Sequence, residues 1–574
     1  MTPRARAKLS ASAVSVWPAP ALVVLVSLGA CVAGFANDFA QDDLHLVEAN
    51  ARIQSLANLR QLFASPFWPP PFSPDLYRPL TSIWLALQYA FGAGEPMVFR
   101  ATSYLLYAAV GVGLFLLAAR LLPRTIALCL ALLFAAHPVH VEAVTLAVGQ
   151  NELIVALLAI GMLSLYLARR NGAGLRVRDW VLLALLYAAA ALFKETGLVL
   201  PGLLVLAELL LVKRDASLLR RARETWRGYA CLALIAIGVL LVRRAVLGGE
   251  AVGTFTAEAL RGLRGGGRAL TMLAVVPQWA RLLVWPAHLR ADYSPQELIA
   301  STHFGGAELF GALLLAAAIA AIVYTWRRAP VVAFGLLWCA VALLPVSNVV
   351  VPTGVLLAER TLFLPSVGFL IAVGGGWAAI ADHAPSVRRR LGGAPAYLCA
   401  LIVAAGIARS AERERVWRND AFLSVRTVQD APRSFRAQRA YADVLFAIGQ
   451  RQLALDAYDR ARALAPRGSV WRVRNDFARA LRGQSDRPAE ATQLRQSLAE
   501  RPDQDDDRGY LIAADLATGD YRAASLEADT ALAGGGKPEV FRGLKAIADS
   551  AARANAPPGS IRIQIEAGGA RADR

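Results

Sequence analysis

Ionisable side chains gather at a few places in this chain, each beside a long apolar run. Asp42 and Asp43 stand together in QDDLHLVEAN, just past the first run, with His45 close behind. Arg78 lies in YRPLT, His137, His140 and Glu142 in HPVHVEAV, and Glu152 in GQNEL. Lys194 and Glu195 lie in FKETG, Asp292 in DYSP, and Glu359 and Arg360 in AERTLFLPS. A carboxylate can orient and deprotonate a hydroxyl, which is otherwise a weak nucleophile. Cationic side chains can hold a phosphate and take up its charge as it leaves. Both at a membrane boundary suit a donor with a lipid tail and a phosphate head, such as a polyprenyl-phosphate sugar. On this reading Asp42 and Asp43 are the catalytic candidates and serve the acceptor; the Arg, Lys and His group serves the donor. Asp42 and Asp43 could instead bind a divalent cation with His45, but no third carboxylate lies nearby in sequence, and no metal site is assigned. Plainer uses exist for single residues: His137 before Pro138 suits a helix cap, Lys194–Glu195 a structural ion pair, and Arg78 snorkelling. Charges at the ends of spans are costly, so their convergence from separate connections points to function.

The elements that must position these residues are membrane helices. Of 574 residues, 56% are hydrophobic and 18% charged, and the mean hydropathy is +0.43. That composition excludes an ordinary soluble protein. The net charge of +18 sits in short Arg clusters between apolar runs, a topological pattern rather than a nucleic-acid-binding one. The five cysteines lie in separate runs with no CxxC, which gives neither a zinc site nor a disulfide framework.

Runs of about membrane-spanning length occupy 15–36, 98–119, 125–144, 152–168, 179–193, 196–212, 228–247, 307–326, 331–347, 361–381 and 394–409. The first lacks a convincing cleavage site and is taken as a retained signal anchor. Basic residues mark every second connection: Arg4, Arg6 and Lys8; Arg120 and Arg124; Arg169, Arg170, Arg176 and Arg178; Lys213, Arg214, Arg220, Arg221, Arg223 and Arg227; Arg327 and Arg328; Arg388, Arg389 and Arg390. The positive-inside rule places these in the cytoplasm with the N-terminus. The other connections then face outward, among them loops 37–97 and 248–306, and an odd span count puts the C-terminal part outside too. The prolines and aromatics of 65–84 suit a segment lying at the interface, and 273–289, interrupted by Arg281 and two prolines, reads as interfacial or re-entrant.

The expected fold is therefore all-α: a membrane domain over 1–410 with about eleven transmembrane helices, then a helical domain over 411–574. In that second part Gly449, Ala454, Tyr458, Ala461 and Pro466 follow the spacing of the latter half of a tetratricopeptide repeat, and Gly519, Ala524, Ala528 and Ala531 repeat it. The intervening repeat, near 470–502, is degenerate.

QDDLHLVEAN, YRPLTSIWLALQYAFG, LLFAAHPVHVEAVTLAVGQNEL, LFKETG, LLVWPAHLRADYSP and LLPVSNVVVPTGVLLAERTLFLPSVGFL together resemble the transmembrane-and-TPR O-mannosyltransferase (TMTC) family and its bacterial relatives, which are similar to polytopic GT-C glycosyltransferases. The resemblance covers roughly 30–380 in matching order. It implies inverting transfer of a mannose-like sugar from a lipid monophosphate to protein hydroxyls on the non-cytoplasmic side. It also implies that Asp42 and Asp43 match the acidic motif of the first outer loop. Arg78, His137, His140, Glu142, Lys194, Glu359 and Arg360 match other motif positions, with Glu195 beside them as a substrate-binding candidate. Gln41 stands where the family has Trp, GQNEL replaces GRAD, and KETG replaces KEQG.

The expected partners are a polyprenyl-phosphate sugar, an acceptor protein or peptide held by the repeats, and the lipid bilayer, with no nucleic acid. The Ala- and Arg-rich composition points to a bacterial inner membrane, with a cytoplasmic N-terminus and a periplasmic C-terminal domain. Two alternatives remain at this point: a transferase acting on an envelope glycan or lipid, and a non-catalytic scaffold recruiting partners through the repeats. A transporter fits less well, because the ionisable groups gather at the outer boundary rather than near the bilayer midplane.

Overall fold

A computed structural model describes residues 18–70, 72, 75–212, 217–249, 256–384, 386, 389, 391–566 and 569–573. Arg4, Arg6, Lys8, Lys213, Arg214, Arg388 and Arg390 of the topology pattern lie outside these residues. The described chain divides into two compact units: residues up to Tyr293 with Ala300–Arg426, and Ser294–Ile299 with the residues from Thr427 on.

Helices of ten or more residues are numbered in order. The first unit holds α1 (Pro18–Cys31), α2 (Pro79–Gly92), α3 (Pro96–Leu121), α4 (Arg124–Ala135), α5 (Gln150–Arg170), α6 (Val177–Phe193), α7 (Leu200–Leu210), α8 (Leu218–Val246), α9 (Gly265–Val284), α10 (Gly306–Arg328), α11 (Pro330–Leu343), α12 (Phe363–His383) and α13 (Ala394–Val416). Each of the eleven apolar runs carries helix. Six helical stretches are long and apolar enough to cross a membrane: 96–121, 150–170, 218–246, 306–328, 359–383 and 394–416. A seventh arises if α4 and the turns at 138–145, bent by 48°, form one broken span. The bend falls at Pro138, whose ring fixes φ and removes a donor. The runs at 18–34 and 330–346 form shorter apolar helices. Helix α9, with Pro277 inside it, is not among the long apolar set.

Lipid would face α10 and α13, whose apolar windows are only 11% buried. Leu313, Ile319 and Val323 on α10 and Leu401 on α13 are exposed, as expected for helices bathed in hydrocarbon. Inside the bundle small residues bring helices together. A Cβ on Gly335 of α11 would lie 2.5 Å from the carbonyl oxygen of Gly368 on α12. That contact fixes α12, and with it the turn Glu359–Leu362 that precedes it.

The second unit is a row of helices entered by α14 (Asp420–Asp430), which begins in the first unit. It continues with α15 (Phe435–Ala447), α16 (Arg451–Leu464), α17 (Val470–Gly483), α18 (Arg487–Glu500), α19 (Asp505–Thr518), α20 (Tyr521–Ala533) and α21 (Pro538–Arg553). Successive helices pack on one another. Ala454, Tyr458 and Ala461 are buried against the neighbouring helix, as are Ala524, Ala528 and Ala531. The segment read as degenerate forms the hairpin α17–α18. The helices are followed by a short antiparallel pair, β1 (Arg562–Glu566) and β2 (Gly569–Asp573).

Candidate active site

The residues singled out in sequence arrive from the ends of different helices. Helix α1 ends in a 3-10 turn at Val32–Gly34, an irregular stretch follows, and Asp42 and Asp43 open a helical turn that becomes π-helical at Leu44–Glu48. The two aspartates part company here. Asp43 is fully buried. Its Oδ2 accepts the N–H of Ala147 at 2.8 Å and its Oδ1 that of Val148 at 3.0 Å. These amides precede the first turn of α5, where unpaired donors favour an anion. Arg100 stands 4.0 Å away. Burial pushes the Asp43 carboxyl up to about 6, against the opposing pull of Arg100 and the two amides.

Asp42 is the open member. Its side chain is 34% exposed, and among the described residues its ion-pair partner is Arg360, at 3.9 Å. Arg360 is held from behind: its backbone N–H donates to Glu142 Oε2 at 2.8 Å, and its guanidinium pairs with Glu142 Oε1. Glu142 is buried in the turn after the Pro138 bend. Glu359, the neighbour of Arg360, turns to other partners. It accepts the Tyr293 hydroxyl at 2.8 Å and the Arg290 N–H, and so grips the segment after α9. His137 grips the end of α9 itself. Its Nδ1 accepts the Val139 N–H, which leaves the proton on Nε2 to donate to the Leu283 carbonyl at 3.0 Å.

Lys194, at the end of α6, pairs with Glu152 in the first turn of α5 and lies 3.4 Å from Asn151 Oδ1. It also feels the charges of Arg78 and Arg360, as Arg360 feels Glu152. The next residue, Glu195, faces elsewhere. Arg78 binds it through Nε at 3.0 Å and Nη2 at 2.8 Å, and Arg243 of α8 through Nη1 at 2.9 Å. Lys194 and Glu195 are thus not a pair with each other. Each is matched across the bundle.

Asp42, Arg360, Glu142, Glu152, Lys194, Arg78 and Glu195 form a connected cluster. His140 does not open onto it. It is buried, with Nδ1 beside the Tyr107 hydroxyl (2.9 Å) and Nε2 beside Ser366 Oγ (2.9 Å). His45 packs on the Phe72 ring, 4.8 Å between centroids, and Asp43 spends both oxygens on amides. Among the described residues no three His, Cys, Asp or Glu side chains gather as a metal site.

Residues absent from the sequence reading complete the surroundings. Arg100 donates to the Asp38 carbonyl at 2.5 Å. Buried Glu414 accepts the Thr145 hydroxyl at 2.8 Å. Arg243 and Tyr293 are the direct partners of Glu195 and Glu359. Three of these, Arg100, Arg243 and Glu414, are ionisable groups within long apolar helices, which is itself a signal.

No protein-family model matches the chain. Its homologues are TMTC-family protein O-mannosyl-transferases. It is 28% identical over 383 residues to protein O-mannosyl-transferase TMTC3 of Mus musculus, covering 62% of this chain and 41% of that protein. The figures for human TMTC3 are 28% over 372 residues, 60% and 40%. For human TMTC4 they are 26% over 400 residues, 61% and 54%. The chain thus spans about half or less of the length of these relatives.

Proposed function

From that kinship we propose that the chain is a membrane glycosyltransferase of GT-C type. It moves a mannose-like sugar from a polyprenyl-phosphate donor to a Ser or Thr hydroxyl of an acceptor protein, on the non-cytoplasmic side. The observation that carries the reading is the state of Asp42: a carboxylate with open access, set opposite an arginine that Glu142 holds still. Asp42 takes the acceptor proton as the hydroxyl oxygen bonds to the sugar C1. The bond from C1 to the phosphate oxygen breaks on the opposite face, which inverts the anomeric centre. Polyprenyl phosphate leaves with the electron pair, and Arg360, Lys194 and Arg78 stabilise its charge. Asp43, His137, His140, Glu142, Glu195 and Glu359 act through others: they pin the turns on which the reacting groups sit.

The alternating Arg clusters support a cytoplasmic N-terminus and a periplasmic helical tail in a bacterial inner membrane. The tail is read as TPR-like, and stacks of that class form concave surfaces that suit a peptide acceptor. The test is transfer from polyprenyl-phosphate mannose to a Ser/Thr peptide by the purified protein and its Asp42→Asn variant. The variant keeps shape and loses basicity. Transfer at the wild-type rate by Asp42→Asn removes the catalytic reading and leaves a scaffold. Transfer to envelope glycan but not to peptide moves the acceptor to that class.

A further inference from the structure

The segment that carries Asp42 is held at its other end by the end of α13 and the start of α14. Asn37 Nδ2 donates to the Glu414 carbonyl at 2.7 Å, and the Asp38 N–H to the Arg418 carbonyl at 2.8 Å. Phe39 and Ala40 pack in one apolar cluster with Val416, Trp417 and Leu423. Then comes Gln41, with φ +51°, a left-handed conformation that is strained for a residue with a Cβ. Its N–H donates to Asp420 Oδ1 at 3.0 Å, across 379 positions of sequence.

Asp420 is the first residue of α14, where a carboxylate ordinarily serves its own helix end. Here Asn419 takes part of that duty, its Oδ1 accepting the Phe422 N–H at 2.8 Å. The Asp420 side chain is turned to the Gln41 amide. Asp43 fixes the far side of the same turn through Ala147 and Val148. Asp42 therefore sits between two carboxylate clamps, one on the residue before it and one on the residue after it.

We propose that Asp420 is a positioning residue for sugar transfer: by capturing the N–H of the strained Gln41 it fixes where the Asp42 carboxylate points. The inference rests on the reading of Asp42 as the base. A base displaced by about 1 Å can lose about a hundredfold in rate. Asp420 touches neither Arg360, Lys194 nor Arg78, so donor binding should not change with it.

The test measures kcat and the donor KM with polyprenyl-phosphate mannose and a Ser/Thr peptide, with melting recorded for each full-length variant. Asp420→Ala should lower kcat about ten- to a hundredfold and leave the donor KM unchanged. Asp420→Asn keeps an oxygen that can accept the Gln41 N–H and should stay within about threefold of wild type. Gln41→Gly, added to Asp420→Ala, should recover much of the lost rate, because glycine holds a positive φ without strain. Wild-type kcat in Asp420→Ala, with Asp42→Asn inactive, overturns this inference and leaves the base reading standing. So does Asp420→Asn as slow as Asp420→Ala, since the hydrogen bond would then not be what matters. Full transfer by Asp42→Asn overturns both.

Discussion

Helix α5 carries a buried charged network at each end, and the two are built to opposite standards. At its C-terminal end Glu208 receives Arg170 Nη2 at 2.6 Å, Arg170 Nε at 2.9 Å and the Tyr166 hydroxyl at 2.7 Å. Arg170 Nη1 goes to Glu224 at 2.8 Å, and Tyr229 donates to Tyr166 at 3.0 Å. Both carboxylate oxygens of Glu208 are engaged, and the Arg170 and Glu208 side chains are 3% and 8% exposed. At the N-terminal end Glu152 and Lys194 join a cluster that reaches Asp42, a carboxylate one-third exposed and loosely paired. The closed network staples helices. The open one leaves a carboxylate accessible while its neighbours are locked, the arrangement that the proposed catalysis would require.

The comparison breaks most sharply at Asp42 and Arg170. Asp42→Asn should reduce sugar transfer by about 100- to 10,000-fold with an unchanged melting temperature. Arg170→Met should do the reverse, destabilising by about 3–5 kcal/mol because it leaves buried Glu208 unpaired, with turnover per folded molecule retained. Melting in detergent beside single-turnover transfer separates the two. An Arg170→Met protein that melts like wild type would show that the closed network is no staple.

A smaller effect sharpens the contrast between the two aspartates. Burial pushes the Asp43 carboxyl up to about 6 in the folded protein, against 3.8 ordinarily. The fold thus holds its proton more tightly than the unfolded chain does. Its contribution to stability is full below about pH 4 and is lost as pH rises through about 6, by at most about 3 kcal/mol. Relative to Asp43→Asn, wild type should therefore lose melting temperature between pH 4 and 6 and run parallel above pH 7. Parallel curves throughout would place the Asp43 titration elsewhere. The smallest effect belongs to the rim of the closed network. Arg220, 75% exposed and paired with Glu224 one helical turn away, should cost no more than about 0.5 kcal/mol when changed to Gln. A loss above 1 kcal/mol would make it a working part of the staple.

The sequence showed where the charged groups lie along the chain, because apolar runs make each one conspicuous. It could not separate Asp42 from Asp43. That distinction depends on where the amides of Ala147 and Val148 point, and nothing local to QDDLHLVEAN encodes it. Lys194 and Glu195 looked like a pair for the same reason: adjacency in sequence hides that each faces a partner from another helix. Arg243 lies inside the apolar run 228–247 and Glu414 five residues past the run 394–409, and nothing local to either names its partner. The repeat at 470–502 looked degenerate because Ser485 stands where Gly449 and Gly519 stand in the hairpins on either side. Ser485 takes φ +59° all the same, so the turn survives while its glycine signal does not. Span number was the least legible feature, since helices near 18–34 and 330–346 are apolar but short.

Around Arg360 and Lys194, four carboxylates (Asp42, Glu142, Glu152, Glu195) answer four cations (Arg78, Lys194, Arg243, Arg360). These eight ion-paired groups balance one another in charge. The cluster therefore casts little field beyond a Debye length and does not draw anions out of bulk water. A phosphodiester donor would reach it by sliding within the bilayer, and its capture should change little between low and high salt. On the proposed mechanism a seated donor would leave the site with one uncompensated negative charge. Cleavage would give the departing phosphate a second, and the proton passed from the acceptor to Asp42 would cancel it. Base and leaving group would then be two halves of one conserved charge, with the same total inside the cluster before and after the sugar moves.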